Sequence, residues 1–415
     1  MTEIDLGDRF IGQQIARIRR RRGLTQQVLA DRVGVSRGAV AKYENGERPV
    51  DSRKFLYDVA TALQVSVADL TGHTEDRYLS PAAAFHASVP AIEAAMLSAG
   101  DIDDDRSPAS VDELAREADR ALDLRMAGDL AGLGAMLPGL FTDSYRRTDA
   151  ATEPDRAAAW SALSRAAFAT ALASKGLGYT SLAWNAAHLT AEAADEIGDR
   201  VAVAASEFVY SQVLLAMPNS LSAAYARASS TADRWQSELT ATSEGSQIYG
   251  MLHLQSALTN AALGRDADTH LAEACDIATR TGENGRAFAL DFGPANVGVW
   301  AMSIALEEGR GGAAIELAAD IDPNAIRTQE RLARFYIECG RGYAMESRYD
   351  DAAAALLRAE VAAPQYVRSR SVVRELVGFM LRKARRDLAS GQLGQLAQRV
   401  GAIPDPTPGR VSRLA

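Results

Sequence analysis

Apolar residues recur at three- and four-residue intervals along most of this 415-residue chain, the spacing that gathers them on one face of a helix. Strand-type alternation is scarce, so the pattern predicts an all-α protein. At residues 24–48 the sequence runs LTQQVLADRVGVSRGAVAKYENGER, which fits two short helices joined by a three-residue turn. Thr25 can cap the first helix, Gly34 sits where a left-handed residue would end it, and Ser36 can cap the second. Leu24, Leu29, Ala30, Val33, Val35, Val40 and Tyr43 then fall on facing stripes. Arg37, Gly38, Ala41 and Lys42 are left pointing outward.

This is the pattern of a helix-turn-helix, whose second helix enters the DNA major groove with its N-terminal residues leading. Arg37 and Gly38 are thereby expected at base edges, and Lys42 further along, near a phosphate or a base. Arg37 is the foremost candidate for sequence readout, because a guanidinium pairs bidentately with guanine O6 and N7 and discriminates by roughly 1–3 kcal/mol. Gly38 would let the backbone come close. Gln26 and Gln27 open the first helix, where a side-chain amide or the helix N-terminus can hold a phosphate oxygen. Ser36 at the head of the second helix, and Asn45 and Arg48 just beyond it, complete the expected DNA-contacting set.

The residues L-T-Q-x3-A with G-V-S, followed by Y-E-N-G-E-R-P, resemble the phage-repressor, or XRE, class of helix-turn-helix domains over about residues 8–72. The resemblance implies a five-helix DNA-binding domain, with helix 1 near Asp8 to Arg22, helix 4 near Asp51 to Leu63 and a short helix 5 near Val67 to Thr71. It also implies that Arg19 pairs with Glu44. The run Arg19 to Arg22 is expected to attract phosphates; the plainer reading of such a run is a solvated basic face.

Charge divides the chain in the same place. Residues 1–72 hold 12 Lys and Arg against 9 Asp and Glu, whereas the remainder holds 33 against 45. An acidic body repels DNA, so only the N-terminal face is expected to touch it, with binding that weakens steeply as salt rises. The length suggests two or more domains. Two cysteines, Cys275 and Cys339, imply no disulfide framework, and lying outside any CxxC or His-rich setting both are expected as buried apolar residues. With no apolar run long enough to span a membrane and no signal-type segment, a soluble cytoplasmic protein is expected.

Residues 73–110 read as a linker, broken by Pro81, Pro90 and the acidic run Asp101 to Asp105. Within it, Val89 to Leu97 forms either an amphipathic helix docked on the larger domain or part of a flexible link. From 111 to 400 the helical rhythm is punctuated by Gly128, Gly176, Gly198, Pro218, Gly264, Gly282, Gly309 and Pro364, which suggests paired helices. A repeat of about 34 residues is the tetratricopeptide pattern. Its clearest copy is Ala333 to Tyr366, where Tyr336, Cys339, Gly340, Tyr343, Ala352, Leu356, Ala359 and Pro364 take the characteristic positions. A second copy begins near Ile248 and a looser one near Ala295. Residues 401–415 read as a flexible Pro-rich tail.

Such repeats stack into an α-solenoid with a concave groove, lined by the first helix of each pair. Tyr249, Ser256, Asn260, Asn296, Arg334 and Arg341 are in phase to face it, and their donors suit a peptide backbone or a carboxylate. His253 and Trp300 are further candidates, although aromatic and His residues at helical spacing, Trp184, His188 and Tyr210 among them, are more often core. The segments Phe292 to Trp300 (FGPANVGVW), Glu330 to Ile337 and Val373 to Val377, with the head, resemble an actinobacterial family of XRE regulators that carry a tetratricopeptide body. The architecture is also similar to the peptide-pheromone receptors of Gram-positive quorum sensing. These resemblances imply a transcriptional regulator whose body senses a peptide or small-molecule effector, and because one helix-turn-helix reads only a few base pairs, a homodimer on a palindromic double-stranded operator is expected. The alternative is a DNA-anchored scaffold that recruits a protein partner. P-loop, HExxH, GxSxG and Cys/His cluster signatures are missing and the His residues are scattered, so neither an enzyme nor a cofactor or metal is expected.

Overall fold

In the computed structural model, residues 11–71, 82–98, 107, 109–150, 152–383 and 391–402 are described. They contain 21 α-helices and no strand. The head is built from α1 (Ile11–Arg21), α2 (Gln26–Val33), α3 (Arg37–Glu44), α4 (Arg53–Leu63) and α5 (Val67–Thr71). Local chemistry sets its boundaries. Thr25 Oγ1 accepts the Val28 N–H at 3.2 Å, Gly34 ends α2 at φ 70° and ψ 31°, and Ser36 Oγ accepts the Ala39 N–H at 3.1 Å. Ile15, Leu29, Val40, Val59, Leu63 and Leu70 close a small core beneath these turns. The expected start of helix 1 at Asp8 lies outside the described residues, as do the acidic run Asp101 to Asp105 and the tail from residue 403.

Helix α6 (Ala83–Ser98) contains the segment Val89 to Leu97 and packs on α8. Phe85, Val89, Ile92 and Ala95 are buried in the main core of the chain. That core belongs to a series of helix pairs: α7 (Val111–Ala127) with α8 (Leu130–Ala150), α9 (Asp155–Gly176) with α10 (Thr180–Ile197), α11 (Arg200–Leu214) with α12 (Leu221–Leu239), α13 (Ser243–Leu263) with α14 (Asp268–Thr281), α15 (Pro294–Glu307) with α16 (Gly311–Ala319), and α17 (Gln329–Met345) with α18 (Tyr349–Ala362). Alanines let neighbours approach closely, as Ala159, Ala162 and Ala166 do on α9. Gly340 serves the same end, since a Cβ there would lie 3.0 Å from Leu356. The clearest predicted repeat copy therefore folds as the hairpin α17/α18. Helices α19 (Pro364–Arg368), α20 (Ser371–Lys383) and α21 (Gln392–Arg399) finish the body.

The first helices of the pairs touch in sequence, α7 to α9, α11, α13, α15 and α17, and α17 in turn touches α7. The inner row is thus closed, where the sequence predicts an open concave groove. Several contacts make the closure. Arg125 Nη1 on α7 meets Glu330 Oε2 at 3.0 Å and its Nη2 donates to the Ala289 carbonyl at 2.7 Å. The Ala131 N–H donates to Gln365 Oε1 at 3.2 Å, and Gly128, at φ 72°, has Ala363 and Tyr366 pressed against the side where a Cβ would be.

The head is docked on this body through buried polar groups. Glu375 on α20 accepts the Ile11 N–H at 3.0 Å and the Val50 N–H at 3.3 Å. Glu307 receives both the Arg53 N–H at 3.1 Å and its guanidinium at 2.5 Å, while Arg341 Nη2 donates to the Asp51 carbonyl at 3.3 Å. Tyr57 of α4 joins the main core. Among the described residues no helix is long and apolar enough to cross a membrane. Cys339 is buried as expected, but Cys275 is exposed, because α14 buries only the stripe that includes Ala274, Ile277 and Ala278.

Candidate nucleic-acid interface and inner cavity

On the head, Gln27, Ser36, Arg37, Gly38, Lys42, Asn45 and Arg48 are all exposed: Arg37, Gly38 and Lys42 on α3, Ser36 and Asn45 at its two ends, Arg48 just beyond it and Gln27 on α2. Arg48 extends over the Tyr43 ring, 5.0 Å from its centre, and the Asn45 N–H closes the end of α3 on the Ala41 carbonyl at 2.9 Å. Gln27 donates to Asp31 at 2.7 Å. Gln26 differs from the rest. It is half-buried, with its amide nitrogen donating to Glu44 Oε2 at 2.8 Å, so it braces α2 to α3.

The same carboxylate carries the pairing implied by the family resemblance. Arg19 Nε and Nη2 reach Glu44 Oε1 and Oε2 at 2.6 and 2.8 Å, and Arg19 Nη1 donates to the Leu24 carbonyl at 2.6 Å. Hydrogen bonding to Glu44 raises the Arg19 pKa. A bidentate fork of this kind fixes α1 against the recognition helix geometrically as well as energetically. The arginine run is thereby divided: Arg19 is buried, Arg22 holds Gln64 at 3.1 Å and 3.0 Å, and Arg20 and Arg21 are exposed.

The residues predicted to face a groove separate into two groups. Trp300 and Arg334 line a cavity among the inner helices that Arg53, Tyr366 and Arg370 also border. Tyr249, Ser256, Asn260 and Asn296 do not face it and are buried instead. Ser256 Oγ donates to the Leu252 carbonyl, Asn260 to the Asp266 carbonyl at 2.9 Å, and Asn296 to the Leu290 and Asp291 carbonyls at 3.0 and 2.8 Å. The last pair steadies a stretch in which Phe288, Ala289 and Asp291 all take positive φ. Helix α13 is buried on nearly every side, which leaves Tyr249, Ser256 and Asn260 no outward stripe. His253 packs between Tyr249 and His270, its Nδ1 lying 3.1 Å from His270 Nδ1. Arg341 serves the head–body seam, bound to Glu338 at 2.7 Å. Trp184, Tyr210 and His188 form an aromatic cluster, with His188 Nδ1 2.6 Å from the Tyr210 hydroxyl.

The cavity also draws on residues the sequence pattern did not single out, Arg53, Arg125, Lys175, Arg331 and Arg370. Lys175 is the basic residue that ends the Ala-rich inner helix α9, and a cation in such a place is the one signal that could have pointed to it. Its Nζ donates to Gln212 Oε1 at 2.6 Å, and Gln212 in turn donates to Gln255. Burial, and then the nearby Arg53, Arg370 and Arg334, hold its pKa well below the ordinary lysine value.

Residues 11–71 match the family of helix-turn-helix domains. No curated protein and no solved structure matches the chain.

Proposed function

We propose that this chain is a sequence-specific DNA-binding transcriptional regulator, a homodimer whose helical body senses a peptide or small-molecule effector. The observation that carries the reading is the capped helix α3, which presents Arg37 and Lys42 outward from a helix-turn-helix domain. Arg37 reads a base edge and Lys42 a phosphate or base, while Gln27, Ser36, Asn45 and Arg48 set the docking register against the backbone. Gly38 supports this assignment: a Cβ there would meet nothing nearer than Ser36 Oγ at 3.9 Å, so packing does not require the glycine. A helical glycine costs about 0.5–1 kcal/mol relative to alanine, and close approach of DNA to the backbone gives it a use.

One helix-turn-helix reads few base pairs, and a two-fold dimer reads two half-sites about 34 Å apart. The buried seam supports an effector role for the body, because Glu307 on the inner helix α15 holds Arg53 at the start of α4, a contact through which a shift of that helix would reach the head. An effector acts there only as far as it prefers one arrangement of the two. The test is Arg37→Ala in the full chain. It is expected to weaken binding to fragments selected by the unaltered protein about 5- to 150-fold, the equivalent of roughly 1–3 kcal/mol, with the helical circular dichroism unchanged. Equal affinity would remove Arg37 from readout.

A further inference from the structure

Between the inner helices and the head lies a partly open cavity of about 120 Å³. Six cationic side chains line it, Arg53, Arg125, Lys175, Arg331, Arg334 and Arg370, against the single carboxylate of Glu330. Three of the six are paired: Arg125 with Glu330, Arg53 with Glu307 and Arg334 with Glu338. Lys175, Arg331 and Arg370 have no carboxylate partner among the described residues, and Arg370 instead stacks on Tyr366 at 4.0 Å. Donors are also left over. The Nε atoms of Arg125, Arg331 and Arg370 and the indole Nε1 of Trp300 are buried without an acceptor, and Arg125 and Trp300 are more than nine-tenths buried.

Lys175, Arg331 and Arg370 are half-buried, so each is drawn partly out of water without a counter-charge to offset the loss, and each buried donor without a partner adds about 1–3 kcal/mol. Three unpaired cations gathered around one space, with N–H groups to spare, are what a multivalent oxyanion completes. Size limits the occupant. A cavity of about 150 Å³ takes benzene, so this one takes a group the size of a phosphate or a short diacid.

Building on the reading of the body as a sensor, we infer that this cavity binds a small multivalent oxyanion, a phosphorylated or polycarboxylic small molecule, held by Lys175, Arg331 and Arg370 beside Trp300. The site reaches the head directly. Arg53 is the first residue of α4, following the Ser52 cap, and both its N–H and its guanidinium are held by Glu307. An anion in the cavity competes with Glu307 for Arg53, and this loosens or re-aims the head.

The experiment is isothermal titration of the full-length protein with inorganic pyrophosphate and, separately, citrate, at ionic strength held constant with KCl. The two probes separate a phosphate site from a carboxylate site. Saturable one-to-one binding of at least one probe is expected, weakened at least tenfold in Lys175→Met and in Arg370→Gln. Lys175→Met without anion is expected to melt no lower than the unaltered protein, because it relieves like-charge repulsion; a purely structural lysine would lower the melting point. Arg37→Ala, altered only on the DNA face, keeps the anion affinity. Binding of neither probe, or equal affinity in both cavity variants, would overturn the inference and leave the DNA reading standing. Anion binding in a protein that selects no DNA would uphold the site and sink the regulator reading. Unchanged operator affinity in saturating anion would overturn the coupling through Arg53.

Discussion

Replacing Arg19 by Ala is expected to unfold the head while the body stays intact. The side chains of Arg19 and Glu44 are only 8% and 2% exposed, and four hydrogen bonds meet there: two between the pair, one from Arg19 to the Leu24 carbonyl and one from Gln26 to Glu44. Arg19→Ala leaves a buried carboxylate with Gln26 alone and deprives the Leu24 carbonyl of this donor. Breaking such a pair costs about 3–5 kcal/mol. A domain of about 60 residues, at 0.05–0.15 kcal/mol per residue, is stable by only about 3–9 kcal/mol, so the loss takes much or all of it. Arg19→Met with Glu44→Leu removes both charges together, and filling the space with apolar groups of similar size is often neutral. The assay is amide hydrogen exchange resolved by peptide, with thermal melts alongside. Residues 24–45 should lose protection in Arg19→Ala and regain it in the double variant, with residues 155–214 protected in all. A single variant that retains full protection in the head, or a double variant worse than the single, would refute the reasoning.

Glu375→Ala removes the acceptor of the Ile11 and Val50 N–H groups, and charge-assisted bonds of that kind contribute about 1.5–3 kcal/mol each. Faster exchange at those two amides, with an unchanged melt of the body, is expected; unaltered exchange would show that the seam does not depend on this carboxylate. Stability should also depend on pH through His253, whose pKa is pushed down to about 4 by burial and then by His270. Its folded pKa lies below the unfolded value, so the unfolded chain takes up the proton first. Stability is therefore untouched above about pH 6.5 and declines as pH falls toward 4, by about 2 kcal/mol at pH 5 and about 3 kcal/mol in full. Denaturant melts at pH 7.5 and pH 5 check this, and His253→Phe should flatten the difference.

The head was legible in the sequence because its determinants are local. Thr25, Gly34 and Ser36 each act on residues within a turn of themselves, and their spacing alone locates α2 and α3. The Arg19–Glu44 contact spans 25 positions and was reached through family resemblance rather than periodicity. In the body, glycine and proline breaks mark helix pairs such as α17/α18, but periodicity cannot say which face of an all-round buried helix meets a lumen. Ser256 and Asn260 on α13 were assigned outward for that reason, and both turn to backbone carbonyls. The cavity was beyond reach for a further reason. Lys175 stands on α9, Arg331 on α17 and Arg370 between α19 and α20, and only the tertiary fold brings them to one cavity.

The central claim, that α3 reads DNA sequence as one half of a symmetric pair, is tested most directly by selection of genomic fragments with the purified full-length protein, followed by footprinting. The account predicts one enriched palindromic motif with half-sites about one helical turn apart, protected at physiological salt and lost steeply as salt rises. Recovery of fragments with no common sequence, or a footprint that persists in Arg37→Ala, would contradict it.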